Sequence, residues 1–152
     1  MDTNMQDLKK DSHQDFDELL KIVLPFAKGM LIKHGSFHPF GAYKEVDGNI
    51  SAIAGYDERQ EGNLQDSIDL LLDGLRREAK IDRIKAAAVC TTVNVQLPHY
   101  TDEVSAIHVN LDHAEGEAID VYLPYKENTG GEIRFEDACA VESVSIIFSS
   151  SQ

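Results

Sequence analysis

The segment that most constrains the fold is a pair of alternating runs, 105–113 and 117–126, joined by Ala114-Glu115-Gly116. Apolar residues that recur at every second position are typical of a β-strand with one buried face. A three-residue turn whose glycine adopts the left-handed conformation joins such strands into a hairpin. The segment therefore predicts an antiparallel hairpin.

The register of this hairpin follows from the turn and from side-chain polarity. A three-residue turn places His108 opposite Tyr122 and Asn110 opposite Asp120. The apolar residues of both strands then share one face: Ile107, Val109, Leu111, Ile119, Val121 and Leu123. The four polar residues share the opposite face, which we expect to be solvated.

Two helices are predicted before the hairpin. Residues 14–34 carry a wide apolar stripe at helical spacing, and Pro25 lies on the opposite side. A proline there bends a helix, although two short helices that separate at Leu24 also fit the pattern. Residues 64–81 carry a second stripe, which consists of Leu64, Ile68, Leu71, Leu72, Leu75 and Ala79.

Short strand-like runs complete the pattern. Residues 40–46 and 50–56 flank Asp47-Gly48, a strong hairpin signal, and two-residue and three-residue turns would give different registers. Residues 85–97 form an apolar, β-branched run, which indicates a strand. Near the C-terminus, the sequence indicates a turn at 128–131, a short edge strand at 133–135 and a last apolar run at 144–148.

The elements follow one another in the order α-β-β-α-β-β-β. Consecutive hairpins predict an α+β domain over residues 14–148, with an antiparallel sheet of about five strands and both helices on one face. Residues 1–13 and 149–152 are expected to be disordered tails. The polar segment 57–63 is expected to be a solvated loop, and Asn63 to cap the second helix.

Over residues 14–126 the element order resembles that of the roadblock, longin and profilin-like modules. The resemblance concerns topology and involves no sequence motif. It implies a small adaptor that dimerises or docks on a partner, although a fold does not fix a function.

Charge and composition limit the partners. The chain has 14 basic and 27 acidic residues and a net charge of −13. A surface of this sign repels phosphate backbones, so we expect no nucleic-acid partner. No apolar run reaches the roughly 18 residues of a membrane span, so we expect a cytoplasmic protein without a membrane partner. Cys90 and Cys139 should then be free thiols.

The sequence contains no motif for dinucleotide, phosphate, zinc-protease, nucleophile-elbow or dithiol chemistry, so we expect no cofactor and no catalytic residue. His34 and His38 have a spacing that metal ligands use on a helix. Gly35 and Pro39 interrupt the helix there, so we expect no metal site. On the flat sheet face, His108 lacks a cleft that excludes water.

A candidate binding groove lies on the second helix. Gly74 costs about 1 kcal/mol relative to alanine in a helix interior. With Ser67 and Leu70 it forms an edge that could receive the first helix or a second copy of the chain. The predicted interaction surface comprises Ser67, Leu70, Gly74, His108, Asn110, Asp120 and Tyr122.

Three functions remain open at this point. The first is a non-enzymatic intracellular protein–protein interaction module, with an unknown protein partner or a homodimer. The second is an acidic inhibitor or immunity-type protein that binds a basic partner, supported by the net charge of −13. The third is a small enzyme or ligand-binding domain with a pocket between the helices and the sheet.

Overall fold

The computed structural model describes residues 5–54 and 64–148, with side chains for 12–53 and 65–148. The predicted α+β class and element order are confirmed. The elements are α1 (Met5–His34), β1 (Phe40–Glu45), β2 (Ile50–Ala54), α2 (Leu64–Lys80), β3 (Ile84–Val95), β4 (Val104–His113), β5 (Ala118–Glu127), β6 (Ile133–Phe135) and β7 (Cys139–Glu142).

All the strands form one antiparallel sheet in the order β2-β1-β3-β4-β5-β6. The short strand β7 also pairs with β5. Within the described ranges the sheet has seven strands rather than about five. The predicted edge strand at 133–135 is confirmed as β6, whereas no strand was predicted at 139–142.

Both hairpins follow their turn chemistry. In the β4–β5 hairpin His108 pairs with Tyr122 as predicted, and Gly116 has a φ of +101°. In the first hairpin the Glu45 amide donates to the Asn49 carbonyl over 2.7 Å. A three-residue turn that includes Gly48 therefore connects β1 and β2, and this settles the register left open by the sequence.

The two helices lie on opposite faces of the sheet. On β3, Ala86, Ala88 and Cys90 pack in the same cluster as the buried residues of α1. Ala87 and Val89 pack with α2 instead. We call these two sides the α1 face and the α2 face. Neighbouring strand residues point to opposite sides, so the prediction that both helices share one face is wrong.

Helix α1 is longer than predicted. It begins at Met5 rather than near Gln14, so residues 5–13 are helical and not a disordered tail. It continues without interruption through the exposed Pro25. Its fully buried apolar residues are Phe16, Leu19, Val23, Ala27 and Leu31. Phe26, an apolar residue of the same helix, is 53% exposed instead.

Helix α2 has nearly the predicted bounds, and Leu71 and Leu75 are its fully buried residues. Gly74 faces β2, where the Ile53 side chain lies 3.7 Å from the position a Cβ would take. The groove along α2 therefore does not receive α1, which lies across the sheet.

The C-terminal segment 143–148 covers part of the α2 face. Asp112, fully buried, accepts hydrogen bonds from the Ser145 hydroxyl at 2.6 Å and from the Ile146 and Ile147 amides at 2.7 Å each. The Ile146 carbonyl also accepts from Nε of Arg76 on α2. The expectation that the whole second face is solvated is therefore wrong, because α2 and this segment bury much of it.

The predicted tails at 1–4 and 149–152, the loop at 57–63 and the Asn63 cap lie outside the described residues. Among the described helices, none combines the length and the apolar character needed to cross a bilayer. Cys90 and Cys139 are both free thiols, as predicted, and Cys90 is buried.

Candidate functional site

The four polar residues predicted on β4 and β5 form one cluster on the α2 face, which we call the polar patch: His108, Asn110, Asp120 and Tyr122. The Asp120 Oδ1 atom accepts from His108 Nε2 and from Asn110 Nδ2, each over 2.9 Å. The His108 and Tyr122 rings stack with centroids 4.7 Å apart and planes 13° apart. The patch is therefore ordered by its own contacts.

Asn110 is the unsatisfied member of the patch. Its Nδ2 atom donates to Asp120, which turns the amide oxygen away from the carboxylate. That Oδ1 atom is buried and has no hydrogen-bond partner in the described part of the chain. An unmet buried acceptor costs about 1–3 kcal/mol. A donor brought by a ligand or partner could recover this free energy.

The protonation of the patch follows from its surroundings. Burial by itself would raise the pKa of Asp120, but hydrogen bonds from Asn110 and His108 outweigh it and hold the pKa below its ordinary value. Burial and the nearby Asp120 charge raise the pKa of the Tyr122 phenol. At neutral pH the patch thus presents a carboxylate beside a neutral phenol ring.

The other predicted surface residues lie on α2 rather than in the polar patch. Leu70 is 42% exposed, Ser67 is half-buried and Gly74 lies against Ile53 of β2. The structure brings together the four β-strand residues of the predicted surface. A homodimer through Leu70 stays a prediction.

A second polar group, which sequence reasoning missed, lies between α1 and the sheet. We call Asp15, Glu18, Lys44 and His113 the ionic cluster. Lys44 Nζ lies 2.7 Å from Asp15 Oδ1 and 2.6 Å from Glu18 Oε1, and His113 Nε2 lies 2.7 Å from Asp15 Oδ2. The signal in the sequence was Lys44 itself, which strand alternation places on the same face as the buried Ala42.

The contacts of His113 define its role. Its Nδ1 atom accepts a hydrogen bond from the Glu115 amide over 3.1 Å. The ring proton must then be on Nε2, which donates to Asp15. Both ring nitrogens are committed, so this histidine cannot accept a proton from a substrate while these contacts last. The ionic cluster therefore positions α1 on the sheet.

The ionic cluster also predicts acid sensitivity. The hydrogen bond from Lys44 lowers the pKa of Glu18. Burial opposes the effect at Asp15, but hydrogen bonds from Lys44 and His113 still lower its pKa. A carboxyl whose pKa is lower in the folded state contributes stability above its unfolded pKa and loses it as the pH falls through the folded pKa. We therefore expect stability to fall below about pH 4.

The check is the free energy of unfolding, measured by urea titration from pH 6 down to pH 2. In Asp15→Asn the free energy of unfolding should fall less steeply with decreasing pH than in the unchanged chain, because the titrating carboxyl is gone. Asp69→Asn, at an exposed position on α2, is the matched control and should keep the steep fall. An equally steep fall in Asp15→Asn would contradict the role assigned to the cluster.

A pocket of about 470 Å³ lies at the C-terminal end of α1, and we call it the α1 pocket. Its lining is mostly apolar: Phe26, Met30, Phe37, Pro39 and Phe40, with His34, Ser36 and His38 as the polar members. Thus His34 and His38, predicted to hold no metal, border the same cavity. Among the described residues no group of three or more histidine, cysteine or acidic side chains could hold a metal ion.

A comparison with known proteins finds no matching family model, no matching curated protein and no matching solved structure.

Proposed function

We propose that this protein is a non-enzymatic protein–protein interaction module of the cytoplasm that docks its partner on the polar patch. The observation that carries the proposal is the buried, unsatisfied Asn110 Oδ1 beside the partly exposed His108–Tyr122 stack. Aromatic rings with fixed polar neighbours are typical centres of binding energy in interfaces. The patch combines such rings with an acceptor that folding leaves unsatisfied.

The chemistry of the patch points to a partner that supplies hydrogen-bond donors with positive charge. Asp120 is a carboxylate, and the Asn110 oxygen can only accept. An arginine side chain fits both, because its planar guanidinium stacks on an aromatic ring while its N–H groups donate. Because the Asn110 oxygen is buried, a side-chain shift of the kind common at interfaces must accompany binding.

The proposal of a non-enzymatic role is supported by the contacts of Asp120 and by the state of the Cys90 thiol, which lies on the opposite, α1 face of the sheet. The His108 Nε2 atom is already bonded to Asp120, and Asp120 is bonded by two side chains. Burial raises the pKa of the Cys90 thiol, which keeps it in its unreactive form. The Asp120 carboxylate thus orders the patch through these two hydrogen bonds, and the buried Cys90 thiol does not serve it as a nucleophile.

The test places a photo-crosslinking phenylalanine analogue at Tyr122 in the living cell, with the same analogue at Val46 as control. Val46 is 59% exposed in the β1–β2 turn, on another part of the surface. We expect a discrete crosslinked partner from position 122 and none from position 46. Asp120→Asn should reduce that crosslink at least about tenfold, because it leaves the partner's charge unpaired.

Asp69→Asn on α2 is again the matched variant and should leave the crosslink unchanged. Loss of the crosslink in both Asp120→Asn and Asp69→Asn would mean that the change in net charge, and not the polar patch, explains the loss. A crosslink at position 122 to a second copy of the chain would make the homodimer the functional form. Equal capture from positions 122 and 46 would overturn the proposal.

The net charge of −13 favours a second candidate, an acidic inhibitor or immunity-type protein that binds a basic toxin or nuclease. Such a complex forms through long-range attraction, so its association rate falls steeply as salt is added. The two candidates separate when the crosslinked partner is purified and its association rate is measured at low and at physiological salt.

A further inference from the structure

The α1 pocket has the dimensions and the lining of a small-molecule site. Its volume of about 470 Å³ lies within the roughly 300–1,000 Å³ of typical ligand pockets. Phe40 meets Phe26 and Phe37 edge to face, with ring centroids 5.0 Å and 5.6 Å apart. Phe26 is nevertheless 53% exposed, so a large apolar ring is only partly covered by the chain itself.

The stretch of sequence that supplies the pocket lining has a charge opposite to that of the whole protein. The chain carries a net charge of −13, yet residues 19–44 contain four lysines and no aspartate or glutamate. One of them, Lys44, is neutralised in the ionic cluster. Lys33 is exposed next to His34 on the pocket rim. The pocket lining thus contains no acidic residue, and the exposed Lys33 adjoins it as a basic residue.

From this combination we infer that the α1 pocket binds an amphiphilic carboxylate, a fatty acid of medium chain length. The alkyl chain lies against Phe26, Met30 and Phe37, and covers the exposed ring of Phe26. The carboxylate remains at the rim, where the Ser36 hydroxyl and the His34 imidazole can donate. Lys33 supplies the compensating charge. This inference is independent of the polar patch, which lies on β4 and β5.

A carboxylate fits this rim better than a phosphate does. Bidentate binding of phosphate favours the fork of an arginine side chain, and the described lining contains none. A hydroxyl, imidazole groups and one neighbouring lysine provide few donors and a modest positive charge. They suit a singly charged head group.

Titration calorimetry with soluble probes tests the chemical class. Octanoate, decanoate, decanol and decylammonium are titrated separately, below the concentrations at which they aggregate. Each methylene that the pocket buries should raise affinity roughly fourfold, so decanoate should bind at least about tenfold more tightly than octanoate. Decanol should bind more weakly than decanoate, and decylammonium more weakly still, because the adjoining Lys33 is basic.

Two matched pairs of variants locate the site. Phe26→Ser removes pocket lining, whereas Ile32→Ser changes an α1 residue that is 65% exposed and lies outside the lining. Phe26→Ser should weaken decanoate and decanol together, and Ile32→Ser neither. Lys33→Glu should weaken decanoate alone, whereas Lys21→Glu, about 18 Å away along the helix, should have no effect. Circular dichroism confirms that each variant is folded.

Several results would overturn the inference. Affinity that does not depend on chain length would exclude burial of the alkyl chain. Equal binding of decanoate and decylammonium would exclude the adjoining Lys33 as the selecting feature. Binding to phosphatidylglycerol vesicles without binding to free decanoate would assign this end of α1 to a membrane surface instead.

Discussion

Replacing Lys44 with methionine is expected to lower the free energy of unfolding by about 3–5 kcal/mol. This is the typical loss when one partner of a buried ion pair is removed. The side chains of Lys44 and Asp15 are only 9% and 7% exposed, so removal of the ammonium leaves the Asp15 carboxylate in the interior without its main partner. Folded domains have a total stability of only about 5–15 kcal/mol. The loss should therefore be plain in a urea titration followed by far-ultraviolet circular dichroism.

Lys85→Met is the matched control for this prediction. Lys85 Nζ lies 3.9 Å from Asp15 Oδ2, and its side chain is 36% exposed. Exposed pairs contribute about 0–1 kcal/mol, so the control should lose little stability. Adding Asp15→Asn to Lys44→Met should restore part of the loss, because the unpaired charge is then gone. Equal losses in Lys44→Met and Lys85→Met would show that the ionic cluster does not stabilise the fold.

The second large effect is expected at Asp112, whose replacement with alanine should cost about 2–4 kcal/mol. The substitution removes the acceptor of three hydrogen bonds, two of them from the backbone amides of Ile146 and Ile147. The C-terminal segment can then separate from the sheet while the rest stays folded, which limits the loss. Amide hydrogen exchange at Ile146 and Ile147 should accelerate more than exchange in β3.

Ser145→Ala provides the graded comparison, since it removes one of the three hydrogen bonds and leaves the two backbone contacts. A loss of about 1 kcal/mol is expected, with little change in exchange at Ile146 and Ile147. Uniformly faster exchange over β3 and the C-terminal segment in Asp112→Ala would contradict local separation. It would mean that the segment and the sheet unfold as one unit.

The polar half of the candidate site could be predicted from the sequence, and the rest could not. The pairing of His108 with Tyr122 and of Asn110 with Asp120 follows from a turn whose residues are adjacent in the chain. The α1 pocket depends instead on how the end of a helix lies against Phe40 of a strand. The aromatic residues near His38 were visible in the sequence, but their convergence was not.

The sequence by itself determined the identity and order of most elements. Periodicity and turn chemistry act over a few residues, which is why α2, both hairpins and the edge strand β6 were predicted correctly. The same local signals allowed either face of the sheet to receive α2. The apolar run 86–90, with no alternation, indicates a strand buried on both faces, which agrees with a helix on each side of β3.

Tertiary structure alone decided which polar residues are buried and what covers them. The Asp15–His113 contact joins residues 98 positions apart, and the contacts of Asp112 with the C-terminal segment span 33 to 35 positions. By alternation Asp112 belongs to the polar side of β4, yet it is fully buried, because a distant segment supplies its hydrogen bonds. No local pattern encodes such a contact, since its free energy arises only when both segments are already in place.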